Sequence, residues 1–358
     1  MQPIEFTWQE TDPDRPAYDV MVRLVGLDSW YDDRELAPFL LKPDAEGRWT
    51  GVVELPDGLR SGYQFCPMRN HRIQPSGLDD DGWAELLATG TPDPANAFTV
   101  GPVFGSTEPA SILELPGALP QPWRTRRPAV ARGTMQSFES GREWPTAVHV
   151  YTPPGRAEPP LPVLVLFDGQ AWLPADIAAT FDNLIADGAV PPFVAAAVAY
   201  PFGPVRVRGL TRPDIFLRYL CDELMPWLSR DFGATTDPRQ TVLIGQSLGG
   251  VAAVNAALTE PHRFGNVISQ SGAFWWPGGS DGELSGAGVI AAVASSPVRF
   301  WLEAGAFETA LIDGNRDLYA ALQQQGIDVS YREYAGGHDF ACWHGGVADG
   351  LVALLSPM

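Results

Sequence analysis

Thr241-Val242-Leu243-Ile244-Gly245-Gln246-Ser247-Leu248-Gly249-Gly250, with the alanine-rich Val251–Leu258 behind it, decides how this chain folds. An apolar, β-branched run reads as a strand, and the alanines read as a helix. Between them the chain must reverse within a few residues, and Gly245–Gly249 fit the pattern G-x-S-x-G. A serine at such a turn is held in a strained conformation that only small neighbours tolerate. Its hydroxyl stands clear at the strand's end, and the helix N-terminus behind it favours developing negative charge.

The texture around this turn extends the reading. From residue 131 onward, apolar runs at Thr146–Tyr151, Val163–Phe167, Phe193–Val198, Thr241–Gly245, Val267–Gln270, Arg299–Glu303 and Val329–Glu333 alternate with helix-like segments such as Asp214–Arg230. Near-continuous apolar strands between helices predict a mostly parallel central sheet covered by helices on both faces, the α/β-hydrolase fold. Residues 4–100 differ. Asp19–Val25, Gly51–Leu55 and Ser61–Pro67 alternate apolar and polar positions between Pro, Gly and Asp clusters, which predicts an immunoglobulin-like β-sandwich. Leu115–Val130 holds four prolines and reads as an extended linker. The expected division is a β-sandwich domain over 1–120 and a catalytic domain over 121–358.

Composition narrows the chemistry. The chain has 358 residues, 45% of them apolar, and a net charge of -19. A large core is affordable, and a nucleic-acid partner is disfavoured by the sign of the charge. Lys42 is the single lysine among 24 basic residues, which excludes lysine-based catalysis and a P-loop. Residues 1–120 carry 20 acidic and 8 basic residues, so most of the acidity belongs there. The start Met1-Gln2-Pro3-Ile4-Glu5 has no signal-peptide character, and no apolar run is long enough to span a membrane. Cys66, Cys221 and Cys342 are widely spaced and suggest reduced thiols in a cytoplasmic protein, with no metal site.

A serine hydroxyl needs a base, and the α/β-hydrolase order is serine, acid, histidine. Of His71, His149, His262, His338 and His344, His338 follows the last expected strand in Ala335-Gly336-Gly337-His338-Asp339. The orienting acid should follow Arg299–Glu303. Glu303, Glu308 and Asp313 are candidates, and Glu308, on the loop just beyond that strand, is preferred. The backbone N–H of Leu248, with that of Gly169 or Gln170 in Asp168-Gly169-Gln170-Ala171-Trp172, would form an oxyanion hole.

Several segments together resemble the enterochelin (iron(III)-enterobactin) esterases. They are Phe167–Trp172, Gly245–Gly250, Ser269-Gln270-Ser271-Gly272-Ala273-Phe274-Trp275-Trp276-Pro277, Leu302–Gly305 with Glu308, Gly336–Asp339 with Cys342-Trp343, and, in the first domain, Phe6-Thr7-Trp8 and Gly62–Pro67. The resemblance implies hydrolysis of the esters of a catechol-serine trilactone siderophore in the cytoplasm, with Ser247 as nucleophile and His338 as base. It also implies that no cofactor is needed, because iron arrives with the substrate. One position departs: where the family tends to show Arg-x-x-Glu-Leu, this chain reads Arg206-Val207-Arg208-Gly209-Leu210. A ferric tricatecholate is a bulky aromatic anion, which calls for guanidinium groups and aromatic walls. Arg206, Arg208, Arg212, Trp172, Trp275, Trp276 and Trp343 are the candidates by sequence context. The alternatives are a general carboxylesterase or feruloyl-type esterase of the same fold, and a non-catalytic siderophore- or carbohydrate-binding protein.

Overall fold

Ile4, Phe6 and Trp8 fall on one side of an extended chain, and that side turns inward. They belong to β1 (Gln2–Gln9) of the first of two compact units. The computed structural model describes residues 1–27, 36–74, 78–102, 106–279 and 282–356. In the first unit β1 pairs with β4 (Arg48–Leu55), which also pairs with β3 (Lys42–Pro43). A second sheet has the order β2-β5-β7-β6, with β2 at Asp19–Leu24, β5 at Arg60–Met68, β6 at Thr99–Pro102 and β7 at Pro109–Glu114. The sheets pack face to face: Phe6 meets the edge of Tyr63 at 5.4 Å between ring centroids, and Trp8, Trp49, Val20, Val22 and Phe65 share one core. A short helix, α1 (Asp80–Ala88), starts where the Asp79 carboxylate accepts the Gly82 N–H at 2.9 Å. The unit is not one continuous stretch: residues 1–120 are joined by 305–309 and 334–342.

The second unit comprises residues 121–304, 310–333 and 343–358. Its strands are β8 (Thr134–Glu139), β9 (Ala147–Thr152), β10 (Val163–Leu166), β11 (Val194–Ala199), β12 (Thr241–Gln246), β13 (Asn266–Gln270), β14 (Arg299–Gly305) and β15 (Val329–Tyr334). They form one sheet in the order β15-β14-β13-β12-β10-β11-β9-β8. The centre is parallel, from β11 through β10, β12 and β13 to β14, while β9 and β8 run antiparallel. Every residue of β10 to β13 is buried, which requires cover on both faces. The helices are α2 (Gly169–Trp172), α3 (Ile177–Ala186), α4 (Pro204–Thr211), α5 (Pro213–Arg218), α6 (Met225–Phe232), α7 (Leu248–Thr259), α8 (Gly286–Ala291), α9 (Ile312–Gln324) and α10 (Phe340–Leu355). Among the described residues no helix is long and apolar enough to cross a membrane.

The proline-rich stretch is tied down more firmly than an extended linker. Arg126 holds Asp176 through two hydrogen bonds of 2.7 and 3.0 Å and reaches Asp182 at 3.1 Å. Arg127 pairs with Asp187 at 2.7 Å, so both ends of α3 grip this segment.

Candidate active site

β12 delivers Ser247 at φ +58°, a conformation an L-residue adopts only at a cost of roughly 1–3 kcal/mol. The surroundings hold it there. The Ser247 N–H donates to the Gln270 carbonyl at 3.1 Å, and its carbonyl accepts from Gly250 and Ala273, both at 3.0 Å. The flanking glycines follow from close approach: a Cβ at Gly245 would collide with the Gly249 carbonyl, and one at Gly250 would lie 2.6 Å from Ser269 Oγ. Leu248 opens α7, so its N–H is among those a helix leaves without an internal acceptor.

The strand next to β12 ends in a second strained residue, Asp168, at φ +59°. Its N–H donates to Tyr200 Oη at 2.9 Å. Its carboxylate is clasped by Arg206 Nε and Nη2 at 2.6 and 2.7 Å, and the same Nη2 reaches the Gln246 carbonyl at 3.2 Å. Arg206 therefore links the residue before Ser247 to the residue before Gly169 and Gln170. Burial works against the guanidinium charge, but Asp168 outweighs it and holds the Arg206 pKa above its ordinary value. Tyr200 is pushed well up by burial and by the neighbouring carboxylate, so it stays a neutral phenol.

Beneath the turn lies a polar chain that strand register explains. Gln246, Gln270 and Glu303 are partners on three adjacent strands. Gln246 donates to Gln270 at 2.7 Å, Gln270 donates to Glu303, and Arg332 bridges Glu303 at 2.8 Å to Asp349 at 2.6 Å. Burial raises the Glu303 pKa, with Arg332 pulling the other way. Glu303 is thus fully engaged. Asp313 stands exposed at the start of α9, 3.4 Å from Arg316.

Glu308 and His338 both lie in the first unit. The buried Glu308 Oε2 is 3.7 Å from His338 Nδ1. Tyr334 Oη lies 3.4 Å from Glu308 Oε1 and 3.2 Å from the Gly337 carbonyl, so its single proton is shared between acceptors on the two loops. The other histidines have separate settings. His71 and His262 are exposed, beside Glu85 and Glu260; His149 meets Ser137 Oγ at 2.8 Å. His344 is buried, 2.7 Å from Thr180 Oγ1.

With this geometry in hand, comparison with known proteins is decisive. The Esterase family model matches residues 140–354, and the model described as "Enterochelin esterase, N-terminal" matches residues 4–124. The iron(III) enterobactin esterase of Escherichia coli K12 is 30% identical over 87% of this chain and 80% of its own length. The chain belongs to the iron(III) enterobactin esterase family. The Dickeya dadantii enzyme of the same name is 29% identical over 98% of this chain and 87% of its own. A crystal structure of the Shigella flexneri enterobactin esterase, obtained in the presence of enterobactin, superposes with a TM-score of 0.84 at 26% identity, covering 98% and 92% of the two chains.

The residues expected to contact substrate have different settings. Trp172 is fully buried, edge-on to His344, and Trp343 is buried with its indole N–H donating to Ser271 Oγ at 2.9 Å. Neither ring offers a free face. Trp275 does: it is 55% exposed and stacks edge-on against the half-buried Trp276 at 5.9 Å. Arg206 is a partly buried cation already compensated by the buried Asp168. Arg208 pairs with Glu143, and Arg212 with Asp214 at 2.9 Å, both near the surface where such pairs open cheaply. The braces Arg206–Asp168 and Tyr334 were invisible in sequence because their partners are 38 and 26 residues away.

Proposed function

We propose that the chain is a serine esterase that hydrolyses the ester bonds of a ferric catecholate trilactone siderophore. Ser247 Oγ attacks an ester carbonyl while His338 Nε2 takes its proton and Glu308 faces the opposite ring nitrogen. The N–H groups of Leu248 and of Gly169 or Gln170 receive the oxyanion. As the tetrahedral intermediate collapses, the imidazolium gives its proton to the leaving serine hydroxyl, and an acyl-enzyme remains. Water, deprotonated by His338, then releases the acid. The reading rests above all on Ser247, poised at φ +58° at the head of α7.

The substrate class is supported by the named activity of relatives that align along most of the chain. Iron enters as cargo on the substrate, so no resident cofactor takes part. Cutting the macrocycle weakens the hold on the metal, which suits release in the cytoplasm. The exposed Trp275, with Arg208 and Arg212, supplies the aromatic and cationic contacts a tricatecholate needs.

The test is purified protein with ferric enterobactin, followed by chromatography for linear trimer, dimer and monomer. Products are expected with wild type and not with Ser247→Ala. Absence of products, or faster turnover of feruloyl and simple aryl esters than of the trilactone, would transfer the assignment to a general esterase of the same fold. An unlabelled Ser247 after fluorophosphonate treatment would point to a binding protein.

A further inference from the structure

The nine residues around His338 are held by the β-sandwich. The His338 N–H donates to the Gly26 carbonyl at 3.0 Å. Gly26 follows β2 at φ +72°, and a Cβ there would lie 2.5–2.6 Å from the His338 backbone. A Cβ at Gly337 would in turn collide with the Gly26 carbonyl. One residue on, the buried Asp339 carboxylate accepts the Gly62 N–H from β5 and the Ala341 N–H at 2.9 Å. Arg60 donates its N–H to the Ala335 carbonyl at 3.0 Å and receives the Cys342 thiol at 3.2 Å. Ala341 is buried among Val25, Val100, Ala110 and Ile112. The acid's loop is fixed likewise: Phe307 donates to the Gly336 carbonyl at 3.2 Å and packs on the sandwich core.

A base on a surface loop is mobile unless something holds it, and misplacement by about 1 Å can cost on the order of 100-fold in rate. We infer that Gly26 and Asp339 are positioning residues for catalysis, through which the amino-terminal β-sandwich sets the place of the His338 imidazole. The inference deepens the proposed function and rests on His338 being the base.

The experiment uses the full chain and a small neutral ester, p-nitrophenyl acetate, so that siderophore recognition does not enter. Gly58 provides the control: it sits in the same sandwich at φ +73° with a Cβ site 3.1 Å from the Gly117 carbonyl, so alanine there meets the same backbone strain away from His338. Gly26→Ala is expected to lower kcat by about 10–100-fold with KM within about twofold, whereas Gly58→Ala keeps kcat within about twofold, both read well below the Tm of either variant. Equal kcat for the two variants overturns the inference. If Gly26→Ala does not fold, Asp339 carries the test. Asp339→Ala should lower kcat in the same way, and Asp339→Asn, which keeps one of the two acceptor oxygens and turns an NH2 toward the other backbone N–H, should recover only part of it; wild-type kcat in both overturns the inference. His338→Ala separates the two layers. An active His338→Ala removes the base and this inference together, while an inactive His338→Ala beside a normal Gly26→Ala removes the inference alone.

Discussion

Arg206 spends both arms of its guanidinium on Asp168 and still touches the Gln246 carbonyl. Removing one partner of a buried pair leaves the other charge uncompensated, which typically costs about 3–5 kcal/mol. Arg206→Ala should therefore lower urea stability by that order and slow ferric siderophore and p-nitrophenyl acetate alike. A variant that raised KM for the ferric complex alone would return Arg206 to the substrate. Arg206→Lys cannot make the two-pronged contact and should recover little. Trp275 is the opposite case, an exposed indole with little to lose structurally. Trp275→Ala should leave stability within about 0.5 kcal/mol and raise KM for the ferric complex several-fold, with the small ester unaffected. Steady-state kinetics on both substrates, alongside urea titration, read all three variants.

At the scale of elements, α4 explains the departure at Gly209. A Cβ there would run into the indole of Trp144, which is buried and stacks on Tyr200 at 5.6 Å. Tyr200 in turn accepts the Asp168 N–H. The glycine thus lets a tryptophan buttress the strained residue before α2. Gly209→Glu should destabilise by about 1–3 kcal/mol or more, and Trp144→Phe in the same chain should return part of it, both measured by urea titration. The expected strands of the sheet fall within a residue or two of the observed ones, because fully buried strands advertise themselves as apolar runs. β8 escaped notice because Thr134–Glu139 is an exposed edge with no alternation to read. The helical pattern over Asp214–Arg230 is real, but it passes through a wider π-type turn at Tyr219–Leu224 just before Pro226, which has no N–H to continue the ladder. The tight turn at Ser247 was legible since its sterics involve neighbours in sequence. The fate of the arginines and tryptophans was not, because ion pairing and burial are settled by residues far along the chain.

For the molecule as a whole, buried ionisable groups set the response to pH. Burial holds the His344 imidazole down at about 3, with Arg124 adding to the effect. The unfolded chain takes up this proton near 6.5 and the native state does not, so stability falls as pH drops through that window, by up to about 1.4 kcal/mol per unit. Glu303, raised by burial, acts in the opposite sense from its ordinary value of 4.5 upward, so the His344 share is read by difference. His344→Gln should flatten the slope between pH 6.5 and 5 by one proton, measured by urea unfolding at several pH values. Of the net charge of -19, residues 1–120 carry 20 acidic and 8 basic groups, the larger share. The discontinuity of the first unit has a consequence for biosynthesis. Its last strip, residues 334–342, leaves the ribosome some 220 residues after Pro120, a delay of roughly 10–45 s at elongation rates of ~5–20 residues per second. Until that strip has emerged, the Gly26 carbonyl and the Gly62 N–H lack the His338 N–H and the Asp339 carboxylate that meet them in the native fold. On the proposed role of His338 as base, a chain stalled before residue 334 should be inert in ester hydrolysis.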